Sequence, residues 1–183
     1  MKYELTTPRS GTVVSLDEAK AHLVVEHNAD DALIPIYIEQ ATTFAESQTG
    51  RQLGSQVWTL YADDWCGALE LPFYPVQSVV IKYDDTDGTE QTLADDQYLL
   101  DAIAYPATIR PADGVTWPDT SGKPNCIRVE VTAGSDTLNG NIQAGIYLML
   151  GHLYENREAV THGTMTELPL GARMFFDAER LAT

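Results

Sequence analysis

The sequence predicts an α+β protein, a helical bundle carrying an inserted antiparallel β module, and three observations lead there. Apolar residues recur at three-four spacing near both ends of the chain, about 15–50 and 141–182. Between them, over 55–134, the pattern changes to short β-branched and aromatic runs separated by turn residues. Finally, 183 residues, 44% apolar and 21% charged, suit one domain spanning 1–183 and are few for two ordinary domains with separate cores.

The first helix is expected over 16 to about 26. Ser15-Leu16-Asp17-Glu18 has the capping-box form, in which the serine hydroxyl accepts from the backbone of Glu18 while that glutamate reaches back. Leu16, Ala19 and Leu23 then mark one buried face. A second helix is expected over about 32–49, with Ile34, Ile38, Ala41 and Ala45 on one stripe, Pro35 in the tolerant first turn and Gly50 as a stop. The two make a helical hairpin.

Strands are expected over 57–61, 68–71, 76–83, 89–93, 98–100, 108–110 and 127–132. Asp87-Gly88 favours a tight hairpin turn between the third and fourth of these. Six prolines from Pro72 to Pro124 keep the strands short and place several at sheet edges. Helical spacing returns after Asn139-Gly140-Asn141, with Ile142, Ile146, Leu150 and Leu153 on one face and an end near Arg157 or Glu158. Ala172, Phe175, Phe176 and Leu181 suggest a short closing helix.

Lys and Arg number 11 against 27 Asp and Glu, a net charge of −16, and the basic residues form no cluster. Gripping DNA or RNA needs concentrated positive charge, so specific nucleic-acid binding is not expected. Residues 1–11 hold no apolar stretch of signal-peptide length and no run approaches a membrane span, so a cytosolic origin without membrane attachment is expected. Cys66 and Cys126 read as free thiols.

The search for chemistry returns little. His152 and Glu155 stand about one helical turn apart and could join a metal site, yet no second such pair exists to complete it. A calcium loop at Asp85-Thr86-Asp87-Gly88 fails because Tyr83 and Ala94 occupy positions that need oxygen ligands. The pairs Asp30-Asp31, Asp63-Asp64 and Asp95-Asp96 sit at expected caps and loops, where carboxylates accept backbone N–H groups without catalysis. Nucleophile elbow, phosphate loop and dinucleotide fingerprint are all missing, so an enzyme and a cofactor are not expected.

Several strings in order resemble the head-tail connector (adaptor, head completion) family of long-tailed bacteriophages and phage-like gene transfer particles. They are Ser15-Leu16-Asp17-Glu18-Ala19-Lys20, Thr49-Gly50-Arg51-Gln52-Leu53, Gln56-Val57-Trp58, Pro75-Val76-Gln77-Ser78-Val79, the turn at 83–88, Val131-Thr132-Ala133-Gly134 and His152-Leu153-Tyr154-Glu155-Asn156-Arg157-Glu158. The resemblance implies a structural virion protein, made in the host bacterial cytoplasm and placed at the neck. Copies of it would form a ring, generally of twelve, under the portal protein. Such a ring extends the DNA channel, lets the genome pass without specific binding, and offers a surface to stopper or tail proteins.

Ring contacts are heterologous, so Glu155, Arg157 and Glu158 are candidate ion-pairing residues between neighbours. As similar adaptors hold the portal through their carboxyl-terminal part, Leu168, Leu170, Arg173, Phe175, Phe176 and Arg180 are the candidate portal contact. Phe175 and Phe176 point about 100° apart on a helix, which leaves one of them for a partner. Deletion after Pro169 is then expected to abolish portal binding while the remainder stays folded. Two alternatives remain: a metal-dependent hydrolytic enzyme using His152 and Glu155, and a protein-binding module unrelated to virions.

Overall fold

The computed structural model describes residues 2–156 and 170–181. Among these, four helices and eight strands make a mixed fold of helices and antiparallel sheet, in agreement with the α+β expectation. Contacts divide the chain into two compact units, one built from described residues of 1–10 and 55–135, the other from those of 11–54 and 136–182. No helix among the described residues is long and apolar enough to cross a membrane.

The helical unit opens with α1 (Leu16–Leu23). Its capping box forms as expected: Glu18 N–H donates to Ser15 Oγ at 3.2 Å, and the Ser15 N–H donates to Glu18 Oε2 at 2.9 Å. The Ser15 hydroxyl holds the Glu18 carboxyl below its ordinary value of 4.5. The helix stops at Leu23, short of the expected 26, because Val24 adopts the left-handed conformation at φ 57°. That reversal returns Val25 to the helical core, where it packs half-buried.

A turn leads to α2 (Ile34–Thr49), with Leu33 and Ile34 N–H groups both donating to Asp30 O at 2.9 Å. Gly50 ends α2 in the left-handed region at φ 74°, the conformation a glycine adopts without steric cost. Asn139 caps α3 (Gly140–Glu155) by accepting the Asn141 N–H at 2.9 Å. The closing helix, α4 (Leu170–Ala178), buries Ala172 and Phe176. Ile34, Ile38, Ile142, Ile146 and Leu150 form the centre of this core.

In the other unit, β1 (Lys2–Thr7), β2 (Gln56–Ala62), β8 (Ile127–Ala133), β4 (Val76–Asp84) and β5 (Glu90–Thr92) make one antiparallel sheet in that order. A second sheet runs β3 (Leu69–Leu71), β7 (Ala107–Pro111), β6 (Tyr98–Asp101). Register explains the alternation along β8: Val129 aligns with Leu60 and Ile81 and is buried, whereas Glu130 aligns with Thr59 and Val80 on the opposite face.

Strand β1 is an element the sequence reading passed over. Lys2-Tyr3-Glu4-Leu5-Thr6 does alternate polar and apolar residues as a strand would, but the run is short and all six residues of the strand are exposed. It is held by its ladder to β2, by a Thr6–Thr59 hydroxyl bond, and by Tyr3 edge-on to Trp58 and Phe73.

Candidate functional site

The predicted site residues divide by where the fold places them. Glu155 is exposed at the last position of α3. Arg157, Glu158 and Leu168 lie outside the described residues, and of Leu170 only the backbone, at the start of α4, is described. Arg173 is exposed, its Nε 3.7 Å from Asp177 Oδ2, and Arg180 is exposed just beyond the helix.

The two phenylalanines separate as their 100° offset requires. Phe176 is fully buried, edge-on to Phe44 of α2 with ring centroids 5.9 Å apart, while Phe175 is half-buried. Phe176 therefore serves the core and is unavailable to a portal while α4 is docked, which corrects the expectation for that residue. Truncation after Pro169 would remove this ring from the core, so a loss of stability is expected beside any loss of portal binding.

Anchors that the sequence reading passed over fix the end of α4. Glu179 receives the Arg51 Nε–H on its carbonyl at 2.9 Å and the Asn141 side-chain amide on Oε1 at 2.9 Å, and Leu181 N–H reaches Thr49 O at 3.0 Å. The string Thr49-Gly50-Arg51 thus ends one helix and ties down another, a role visible only once the chain is folded.

Among the described residues His152 gathers no metal-ligand set. Its Nδ1 lies 3.3 Å from the Asn156 amide, and no group of three potential metal ligands exists among the described residues. The paired aspartates hold loops and helix ends: Asp63 accepts Asn125 N–H at 2.6 Å across 62 residues of sequence, Asp64 accepts Trp65 N–H at 2.8 Å, and Asp31 accepts from Lys20 Nζ at 2.7 Å. Asp95 accepts the Tyr98 hydroxyl at 3.0 Å, and burial, with that bond second, pushes the phenol up to about 12. The Asp85 turn is the predicted hairpin, its carboxylate accepting Thr89 N–H at 2.9 Å and Asp87 N–H at 3.1 Å.

Hollows lie on the surface of the described residues in both units. One, of about 260 Å³, is lined by Lys2, Tyr61, Asp63, Asp64, Cys66 and Asn125. The other is an open groove of about 390 Å³ along α2, lined by Glu39, Gln40, Thr43, Phe44 and Ser47, and it is almost wholly apolar. Elsewhere, Trp65 and Trp117 stack at 4.6 Å and clasp their loops. Trp65 Nε1 donates to Pro118 O at 2.8 Å, and Trp117 Nε1 donates to Cys66 O at 2.9 Å.

Comparison with known proteins follows the same direction. A family model described as phage gp6-like head-tail connector protein matches residues 13–104. Solved chains of the same fold come from the neck of an empty gene transfer agent particle computed with C6 symmetry (23% identity, TM-score 0.78) and from the virion of a native gene transfer agent particle (22%, 0.79). A third comes from the neck of the native particle computed with C12 symmetry (22%, 0.76). Each alignment covers 100% of this chain and 97% of the solved one. At such identities the likeness is one of fold. No curated protein matches.

Proposed function

The chain belongs to the phage gp6-like head-tail connector family, and from that premise we propose that it is the adaptor subunit of a virion neck, where copies form a ring beneath the portal. The family match over 13–104 carries this reading. The C12 symmetry under which a neck of the same fold was computed supports a ring of twelve. In this role the ring extends the DNA channel, docks on the portal, and presents a surface to stopper or tail proteins. The work is assembly, and no catalytic step or cofactor enters it.

Arg173, Phe175 and Arg180, with Leu168 and Leu170, make the portal contact in this reading. Glu155, Arg157 and Glu158 pair with ring neighbours. Exposed ion pairs contribute little singly, so the contact depends on apolar burial as well as on charge.

The test is to mix the purified chain with its portal protein and view the products by negative-stain electron microscopy. A ring stacked coaxially on the portal is expected, and portals that remain bare would refute the reading. Because truncation of α4 disturbs the core, docking is better probed by Arg173→Glu with Arg180→Glu, two exposed positions. This variant should stay folded, with a Tm lowered only slightly by loss of the exposed Arg173–Asp177 pair, and lose the portal; portal binding at the parent's level would remove α4 from the contact.

A further inference from the structure

Strand β1 is claimed by one unit in sequence and by the other in contact. It runs directly into the helical unit, which begins at Gly11, yet it packs in the β unit as the edge strand beside β2. All the other strands lie together within 55–135. β1 is thus an arm, tethered to the helical unit and laid on the sheet. Such an arm makes the same contacts on the sheet of its own chain or on that of a second copy.

The arm can leave its seat at little cost. None of its six side chains is buried, so lifting it draws no residue out of the core. Residues 8–11, which follow it, form neither helix nor strand, and Gly11 stands at φ 84°, where a glycine bends the chain freely. The seat, by contrast, has to be filled. Tyr3 covers the stacked pair of Trp58 and Phe73 edge-on, at 5.9 and 5.5 Å, and the β2 edge beneath would otherwise offer a row of unpaired N–H and C=O groups. Each copy therefore supplies one arm and needs one, the one-to-one balance that a closed ring demands.

Charge favours this segment as the join. Copies at net charge −16 repel one another, but β1 carries Lys2 and Glu4 and is neutral as a whole. It is held by a backbone ladder, in register from Lys2 opposite Tyr61 to Thr7 opposite Val57, by the Tyr61 hydroxyl donating to Glu4 at 2.6 Å, and by the Thr6–Thr59 hydroxyl bond. None of these bonds depends on opposite net charges of two surfaces. We propose that β1 is exchanged around the ring, each copy laying it on the β2 edge of the next in the register that it has here within one chain. Arm and edge are different patches, as a heterologous contact requires, and the bonds given up are regained on the neighbour. The proposal rests on the ring reading and adds what joins the neighbours.

Disulfide trapping tests it. The Thr6 and Thr59 hydroxyl oxygens lie 2.5 Å apart, so thiols introduced by Thr6→Cys and Thr59→Cys stand within bonding reach. Cys66→Ser removes the exposed natural thiol, while Cys126 is buried. Rings of this variant, assembled on the portal under reductant, then oxidised, blocked and dissolved in SDS, should run as a ladder of linked chains, with most of the chain gone from the monomer band. Mixed rings of chains carrying only Thr6→Cys and chains carrying only Thr59→Cys give a second reading, since linked pairs form there only where β1 of one chain lies on β2 of another. Rings whose chains stay in the monomer band in both experiments would overturn the exchange and leave the connector reading intact. A parent chain that forms no ring on the portal would overturn both.

Discussion

Gly145 of α3 shows how closely single residues are fitted in the helical unit. A Cβ added there would lie 2.4 Å from Cε1 of Phe176 and 2.7 Å from its Cζ, and this ring is buried among core side chains with no solvent to move into. Gly145→Ala should therefore force α4 outward or tilt the ring, at a cost of about 1–3 kcal/mol, the range for overpacking a dense core. Urea unfolding checks this: the midpoint should drop although alanine is the better helix former, and an unchanged midpoint would mean that the ring has room. Residue-level legibility was uneven. The spacing of Ala172 and Phe176 marked them as core candidates, but no sequence rule says that a glycine on a distant helix makes room for one ring and not for its neighbour. Val24 was hidden for a related reason, since the sequence continues the helical pattern through it and only the fold reveals the reversal.

At the scale of elements, the β4–β5 hairpin depends on one carboxylate. Asp85 accepts the N–H groups of Thr89 and Asp87 and the Gln91 amide, and the Thr89 backbone bond is the first cause that lowers its pKa below the ordinary 3.8. A group whose folded pKa is depressed adds stability above its unfolded value and loses it as pH falls through the lower folded value. The Tm advantage of the parent over Asp85→Asn should accordingly be full at neutral pH and shrink once pH drops below 3.8. A difference that stayed constant with pH would mean that the ionised form adds nothing to the turn. This element was legible because Asp-Gly turn chemistry is local, as were the capping box of α1 and the Gly50 stop of α2. Strand β1 was passed over although Lys2 to Thr6 alternates polar and apolar residues, because five residues of alternation are a weak signal and the pairing with β2 that makes them a strand is non-local. The division of the strands into two sheets was equally hidden, since register and order follow from long-range packing.

For the whole molecule, charge governs association. The composition announced a net charge of −16, and the family strings announced a ring, but which patch meets which neighbour is not written in any periodicity, because a partner's surface leaves no trace in local spacing. Copies so charged repel one another over the Debye length, about 30 Å at 0.01 M salt and about 8 Å at 0.15 M. Ring growth on the portal should hence be weaker at the lower salt and recover at the higher, the reverse of what rim ion pairs alone would give. Where the chain's acidic surface faces the channel, the same field would repel DNA phosphates, and the genome is expected to pass without sticking. Incubating assembled rings with short duplex DNA at about 0.01 M and 0.15 M salt and following electrophoretic mobility should show no retardation at either. Retardation at low salt that fades at high salt would reveal a basic lining in the ring and defeat the repulsive-wall account. Faster ring growth at the lower salt would instead mean that complementary charges, and not uncharged contacts, hold the neighbours together.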